Sequence, residues 1–233
     1  MTAPPYKTAL IVGAGPGLSA SLARTLRSVG ITVGLAARGV EKLQPLAEEI
    51  GAKTFAADAA DPACVARLFE QADAEIGEPD VVVYNASARV RGRIADIDPE
   101  QVRRALEISA FGGFLVVQQA ARRMTPRGRG AILLTGATAS LKGFPLSSAF
   151  AMGKFALRGL AQSSARELGP QGIHVAHLVI DGGIRSATRP NPADRPDSLL
   201  DPDGVAQVYL DVLRQPRSAW SFEVDLRPWV ETF

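Results

Sequence analysis

Short apolar runs rich in β-branched residues recur along the whole of this chain, at residues 9–12, 32–35, 54–56, 81–84, 132–135, 175–180 and 222–226. Between them lie segments with the 3.6-residue periodicity of helices, at residues 18–29, 40–50, 64–76, 101–124 and 149–168. An apolar run without polar alternation fits a strand buried on both faces, since a half-exposed strand places a polar side chain at every second position. Strands of this kind alternating with helices pair in parallel, and right-handed crossovers lay the helices on both faces of the sheet. The expected architecture is a doubly wound parallel α/β sheet, the Rossmann arrangement.

Local signals agree. Asp61-Pro62 and Asp98-Pro99 each set a capping carboxylate before a proline at the first helical position, and Gly51, Gly77 and Gly169 follow helix ends. Nothing divides the 233 residues by repeat or linker, so they read as one domain, 1–233. Only residues 186–200, with Pro190, Pro192 and Pro196, lack periodicity. They read as a long loop after the sixth strand, either a substrate lid or an idle surface excursion.

Composition narrows the function classes. Lys/Arg and Asp/Glu are scattered and sum to +2, which gives no charge block for nucleic acid or a membrane surface. Small-molecule partners are expected. Cys64 is the single cysteine, which excludes an internal disulfide and a cysteine-rich metal site and fits a reducing, cytoplasmic setting. Residues 8–23 are apolar and small, but one lysine precedes them and a glycine turn interrupts them, so they read as strand and helix rather than a secretory leader. No other stretch approaches the roughly 18 uninterrupted apolar residues of a membrane span. No Gly-x-Ser-x-Gly elbow supports a hydrolase. His174 and His177, three apart on one strand, point to opposite faces, so no metal site is expected.

Gly13, Gly15 and Gly17 follow the first strand and open the first helix. Glycines there let backbone N–H groups and the helix dipole meet a pyrophosphate with no side chain between. The acidic residue that would receive an adenosine ribose at the end of the second strand is absent: Ala37 stands there, followed by Arg38. Without a carboxylate to repel a 2′-phosphate, and with a guanidinium fork beside it, the chain is expected to take NADP(H) in preference to NAD(H).

With these segments in place, the sequence resembles the short-chain dehydrogenase/reductase family over essentially its whole length. Residues 13–17 resemble the family's Gly-x-x-x-Gly-x-Gly turn, with Ser19 at its last glycine, and Asp58 matches the adenine-contacting Asp. Asn85-Ala86-Ser87 resembles the Asn-Ala-Gly motif that supports the central sheet. The resemblance implies cofactor contacts from Gly13, Gly15, Pro16, Gly17 and Leu18, and from Ala37, Arg38, Asp58 and Ala59. It implies others from Asn85, Ala86, Lys154, Gly182 and Ile184. The family exchanges a hydride between nicotinamide and a carbonyl or alcohol using Asn, Ser, Tyr and Lys. Here Ser109 takes the Asn position, Ala137 the Ser position and Phe150 the Tyr position, while Lys154 is retained.

Phenylalanine carries no proton to transfer. Candidate substitutes are Ser147 or Ser148 before Phe150, Thr138 beside Ala137, Ser109, Asp181, or a water near Lys154; each serine before the helix also reads as its N-cap. Ala137, Phe144, Pro145, Phe150 and Ile184 are expected to wall an apolar substrate pocket. The leading expectation is an NADP(H)-dependent oxidoreductase of a carbonyl or related polarised double bond with a non-standard proton donor. The alternative is a non-catalytic cofactor-binding scaffold. The resemblance further implies a homodimer or homotetramer built on the two long helices at residues 101–124 and 149–168 and on C-terminal segments, where residues 220–226 alternate apolar and polar.

Overall fold

A computed structural model describes residues 4–186 and 188–231. Seven strands, β1 (Thr8–Val12), β2 (Thr32–Ala37), β3 (Lys53–Ala56), β4 (Val81–Tyr84), β5 (Gly130–Thr135), β6 (Ile173–Ile180) and β7 (Glu223–Leu226), form one parallel sheet in the order β3-β2-β1-β4-β5-β6-β7. Each expected strand is present to within two residues.

Side-chain alternation divides the core in two. In β1, Ala9 and Ile11 face the helices α1 (Leu18–Ser28), α2 (Gln44–Ile50) and α7 (Pro202–Leu213), whereas Leu10 and Val12 face α3 (Pro62–Glu75), α5 (Gly112–Arg127) and α6 (Ser148–Leu168). Both faces are covered, which is why these strands read as continuous apolar runs. A fully buried leucine or isoleucine such as Leu10 or Ile11 contributes about 1.5–3 kcal/mol of burial.

The caps at Asp61 and Asp98 form as the sequence requires, accepting from the N–H groups of Cys64 and Glu100. Gly51, Gly77 and Gly169 follow helix ends as read; Gly51 and Gly77 are left-handed, whereas Gly169 keeps a helical φ and opens a short 3-10 turn that Gly172 (φ +82°) stops. The periodic segment 101–124 is two helices, α4 (Pro99–Leu106) and α5, joined by a π-helical turn at Glu107–Phe111. Helix α7 lies outside the periodic segments named above, although Asp201-Pro202 repeats the cap signature and Asp201 accepts from the Asp203 N–H. No helix among the described residues is long and apolar enough to cross a membrane.

Between β1 and β4 the strand order reverses, so the loops after these strands diverge and leave a crevice at the carboxyl edge of the sheet. The loop at residues 186–200 is anchored at that edge: Leu200 is buried, its N–H reaches the Gly183 carbonyl at 2.8 Å, and the Arg185 N–H reaches the Leu200 carbonyl at 2.8 Å. Residue 187 lies outside the described residues, as do 1–3 and 232–233 at the ends of the expected domain.

Candidate active site

The turn after β1 is fixed from both sides. Gly13 and Ala14 donate to the Ala36 carbonyl at 2.9 Å, and the Asn85 N–H reaches the Val12 carbonyl at 2.8 Å. Gly13 has φ +85°, and a Cβ there would lie 2.3 Å from the Ala86 nitrogen, so β1 and β4 approach as closely as they do only with glycine. Gly15 and Gly17 differ: a Cβ on either meets nothing within 4 Å, because both border open space. Behind the turn, Asn85 Nδ2 donates to Ser19 Oγ at 2.8 Å, and that hydroxyl faces the Gly13 carbonyl at 3.4 Å. No acidic residue sits in the first turn of α1, leaving its positive dipole end uncompensated.

Two pockets meet at Gly13, Asn85 and Ser87. The outer one, about 490 Å³, is lined by Ala37, Arg38, Lys42, Asp58, Ala59 and Ala86 among others. Arg38 and Lys42 are exposed there. Burial opposes ionisation of Asp58, but the Ala60 N–H at 3.0 Å and the Arg104 guanidinium outweigh it and hold the carboxyl below its ordinary range.

The inner cleft encloses about 560 Å³ and reaches Lys154. Lys154, one helical turn after Phe150 on α6, is 3% exposed and donates from Nζ to the Thr135 carbonyl at 2.6 Å. Burial, and secondly the nearby Arg89 charge, pull its ammonium down to about 8. The Arg89 guanidinium lies over the Phe150 ring, 4.4 Å from its centroid, with Lys154 Nζ at 5.9 Å. Thr138 Oγ1 donates to Asp181 Oδ1 at 2.5 Å, and Arg227 lies 3.4 Å from the other carboxylate oxygen. The cleft wall is tied across the chain by the Gly92 N–H to the Leu146 carbonyl at 3.3 Å.

Of the residues singled out from sequence, Gly13, Gly15, Gly17, Leu18, Asn85 and Lys154 line the inner cleft. Ala137, Thr138, Phe144, Phe150, Gly182 and Ile184 join them, while Pro16 borders a shallow groove beside it with Gly17 and Arg185. Three candidate acids do not reach the lining. Ser109, 1% exposed in the π-helical turn, accepts the Ala88 N–H at 3.0 Å and packs against Gly153. Ser148 is the first residue of α6 and is not among the lining residues, whereas Ser147 is on the cleft and stands at the N-cap position as read, without a side-chain capping bond. Asp181 sits behind Thr138, held by its own partners. His174 and His177 are engaged separately, with Ser221 at 2.8 Å and Glu223 at 2.9 Å.

The expectation of an apolar pocket needs correction. The five apolar residues named above do line the cleft, but so do Arg89, Arg91, Arg185 and Arg189, and among the described residues no Asp or Glu lines it. These arginines sit on irregular segments, where no periodicity marks the direction of a side chain.

An open glycine turn at a helix start, exposed cations at the outer end and a buried lysine at the inner end fit a nicotinamide dinucleotide laid across the sheet edge. Comparison with known proteins agrees. A family model described as short chain dehydrogenase matches residues 7–194. A short-chain dehydrogenase from Rhodopseudomonas palustris is similar at 37% identity, with TM-score 0.83 over 97% of this chain and 100% of that one. A metagenomic short-chain oxidoreductase solved in complex with NADP is similar at 26% identity, with TM-score 0.83 over 97% of this chain and 98% of that one. Trans-4-hydroxycyclohexanecarboxylate dehydrogenase of Sinomonas cyclohexanicum is 34% identical over 77% of this chain and 73% of its own length.

Proposed function

The chain belongs to the short-chain dehydrogenase family, and from that premise we propose that it is an NADP(H)-dependent oxidoreductase of a small carbonyl compound or related polarised double bond, working without the family's tyrosine. The observation that carries this reading is the meeting of the two pockets at the glycine turn, with exposed cations at one end and Lys154 at the other. The NADP complex of the metagenomic relative and the alcohol substrate named for the Sinomonas relative support it.

When bound, the nicotinamide supplies or accepts the hydride. The protein does the rest. N–H groups at Gly15–Leu18 and the α1 dipole receive the pyrophosphate. Arg38 and Lys42, with no carboxylate at Ala37, receive a 2′-phosphate. Lys154, whose ammonium is held by the Thr135 carbonyl, would be the residue to hold the nicotinamide ribose. Phe150 has no proton, and the Thr138 hydroxyl donates to Asp181, which leaves the acidified Lys154 ammonium and the Ser147 hydroxyl, both lining the cleft, as the groups to supply the proton for a reduced substrate oxygen. Rapid-mixing of NADPH-loaded protein with ketones, imines and enones tests the reading; no oxidation by any class overturns it in favour of a cofactor-binding scaffold. Phe150→Tyr is expected to gain ketone reduction, since the new hydroxyl arises one turn from Lys154.

Assembly is part of the same reading. Phe111 just before α5, Phe114 within it, and Met152 and Phe155 on α6 are large apolar side chains left 44–51% exposed. They are proposed to bury against a second copy. Light scattering at micromolar concentration should give a dimer or tetramer, and Phe114→Asp with Phe155→Asp should give monomer.

A further inference from the structure

Resting on the oxidoreductase reading of the same cleft, we infer that its substrate is an anion: a small carbonyl compound whose carboxylate or phosphate group is held by Arg89. Among the described residues, the lining of the inner cleft carries four arginines and a lysine and not one acidic residue. Like charges gathered in a concave wall repel one another and focus a positive field into it, an arrangement that a bound anion relieves. Of the four, Arg185 is neutralised by Asp201 at 2.8 Å. Arg89 and Arg91 form no ion pair among the described residues.

The cofactor does not account for Arg89. Pyrophosphate belongs at the glycine turn, which lines the same cleft, but the Arg89 guanidinium is placed on the Phe150 ring, and a 2′-phosphate belongs in the outer pocket with Arg38 and Lys42, which Arg89 does not line. Arg89 instead rests on the ring of Phe150, one turn from Lys154, beside the place where a reacting carbonyl must lie. A guanidinium drawn to the ring face by its charge keeps N–H groups for two bonds to a carboxylate or phosphate. The ring that offers no proton thus serves as the platform for the anion anchor. Arg189, whose guanidinium packs on Gly183 so closely that a Cβ there would lie 2.4 Å from it, brings a further positive charge from the loop at residues 186–200.

Calorimetry on NADP⁺-loaded protein with phenylpyruvate, phenyl phosphate and uncharged phenylacetone tests this. One of the two anions should bind about tenfold or more tighter than phenylacetone, and the tighter one identifies the group. Arg89→Met should remove that advantage without changing phenylacetone binding, Arg89→Lys should restore part of it, and both variants should keep the wild-type melting temperature. Equal binding of all three probes, no binding of either anion, or anion binding indifferent to Arg89→Met overturns the inference. So does anion binding confined to cofactor-free protein, which would place the anion at the glycine turn. NADPH oxidation separates the two readings: Arg89-dependent anion binding with no oxidation overturns the reductase alone, and oxidation by phenylacetone without preference for an anion overturns the anion anchor alone.

Discussion

Arginine is used in opposite ways at the two ends of this site. Beside the outer pocket Arg104 closes on Asp58 and Glu107, so its charge is consumed by the fold and keeps α4 against the loop after β3. At the inner end Arg89 lies on an aromatic face and meets no carboxylate among the described residues. A paired cation tells about architecture, whereas one left on a ring within a cleft tells about a ligand. Between the ends, the glycine turn and Asn85 belong to both pockets.

The largest blow to both ends at once is Gly13→Ala. Left-handed φ for an alanine costs about 1–2 kcal/mol, and the clash with the Ala86 backbone adds about 1–3 more. Thermal unfolding should show a loss of several degrees and NADPH should no longer raise the melting temperature. Gly15→Ala is the control: with open space and no strained φ, apo stability should stay within about 0.5 kcal/mol. Equal destabilisation by the two would mean that the turn is not pinned at Gly13.

Lys154→Met breaks the inner end alone. It removes a charge-assisted contact worth about 1.5–3 kcal/mol, so NADPH affinity should fall about tenfold to hundredfold by fluorescence titration. The apo protein should be no less stable, because methionine fills the volume without a buried charge. Arg38→Ala breaks the outer end, with a smaller effect because the side chain is exposed: NADPH should weaken about fivefold and NADH should not change. An equal loss for both cofactors would assign Arg38 to the shared part of the dinucleotide.

The same contrast explains what could be read from residues alone. Strands buried on both faces leave unbroken apolar runs, and a turn that tolerates no Cβ leaves a glycine, so β1 to β7 and Gly13 are legible. Lys154 is legible through the family resemblance, which keeps a lysine at this place on the periodic helix at residues 149–168. The arginines are not, because Arg89 and Arg91 follow β4 in irregular backbone whose course depends on Gly92 meeting Leu146, 54 residues later. Ser109 misleads for a related reason. Its position in the sequence suits a catalytic role, but the π-helical turn buries its hydroxyl on the Ala88 N–H, and only the local winding of the helix decides that. Phe150 and Thr138 are visible as a loss and a candidate; that one carries a guanidinium and the other is tied to Asp181 depends on contacts between distant loops.

The smallest expected effect is also the one that couples the inner end to its unpaired arginine. Burial first, and Arg89 second, hold the Lys154 ammonium at about 8, below the 10.5 of an exposed lysine. Between these values the unfolded chain carries a proton that the folded one has released, so stability contributed by this residue rises with pH across that window. Cofactor affinity runs the other way, because the ammonium that meets the ribose is lost as pH climbs through about 8. Arg89→Met removes the repulsion and leaves the burial, so the affinity curve should move to higher pH without reaching that of an exposed lysine. A curve that stays in place would show that burial alone acidifies Lys154, and would separate the arginine's effect on the ligand from any effect on the lysine.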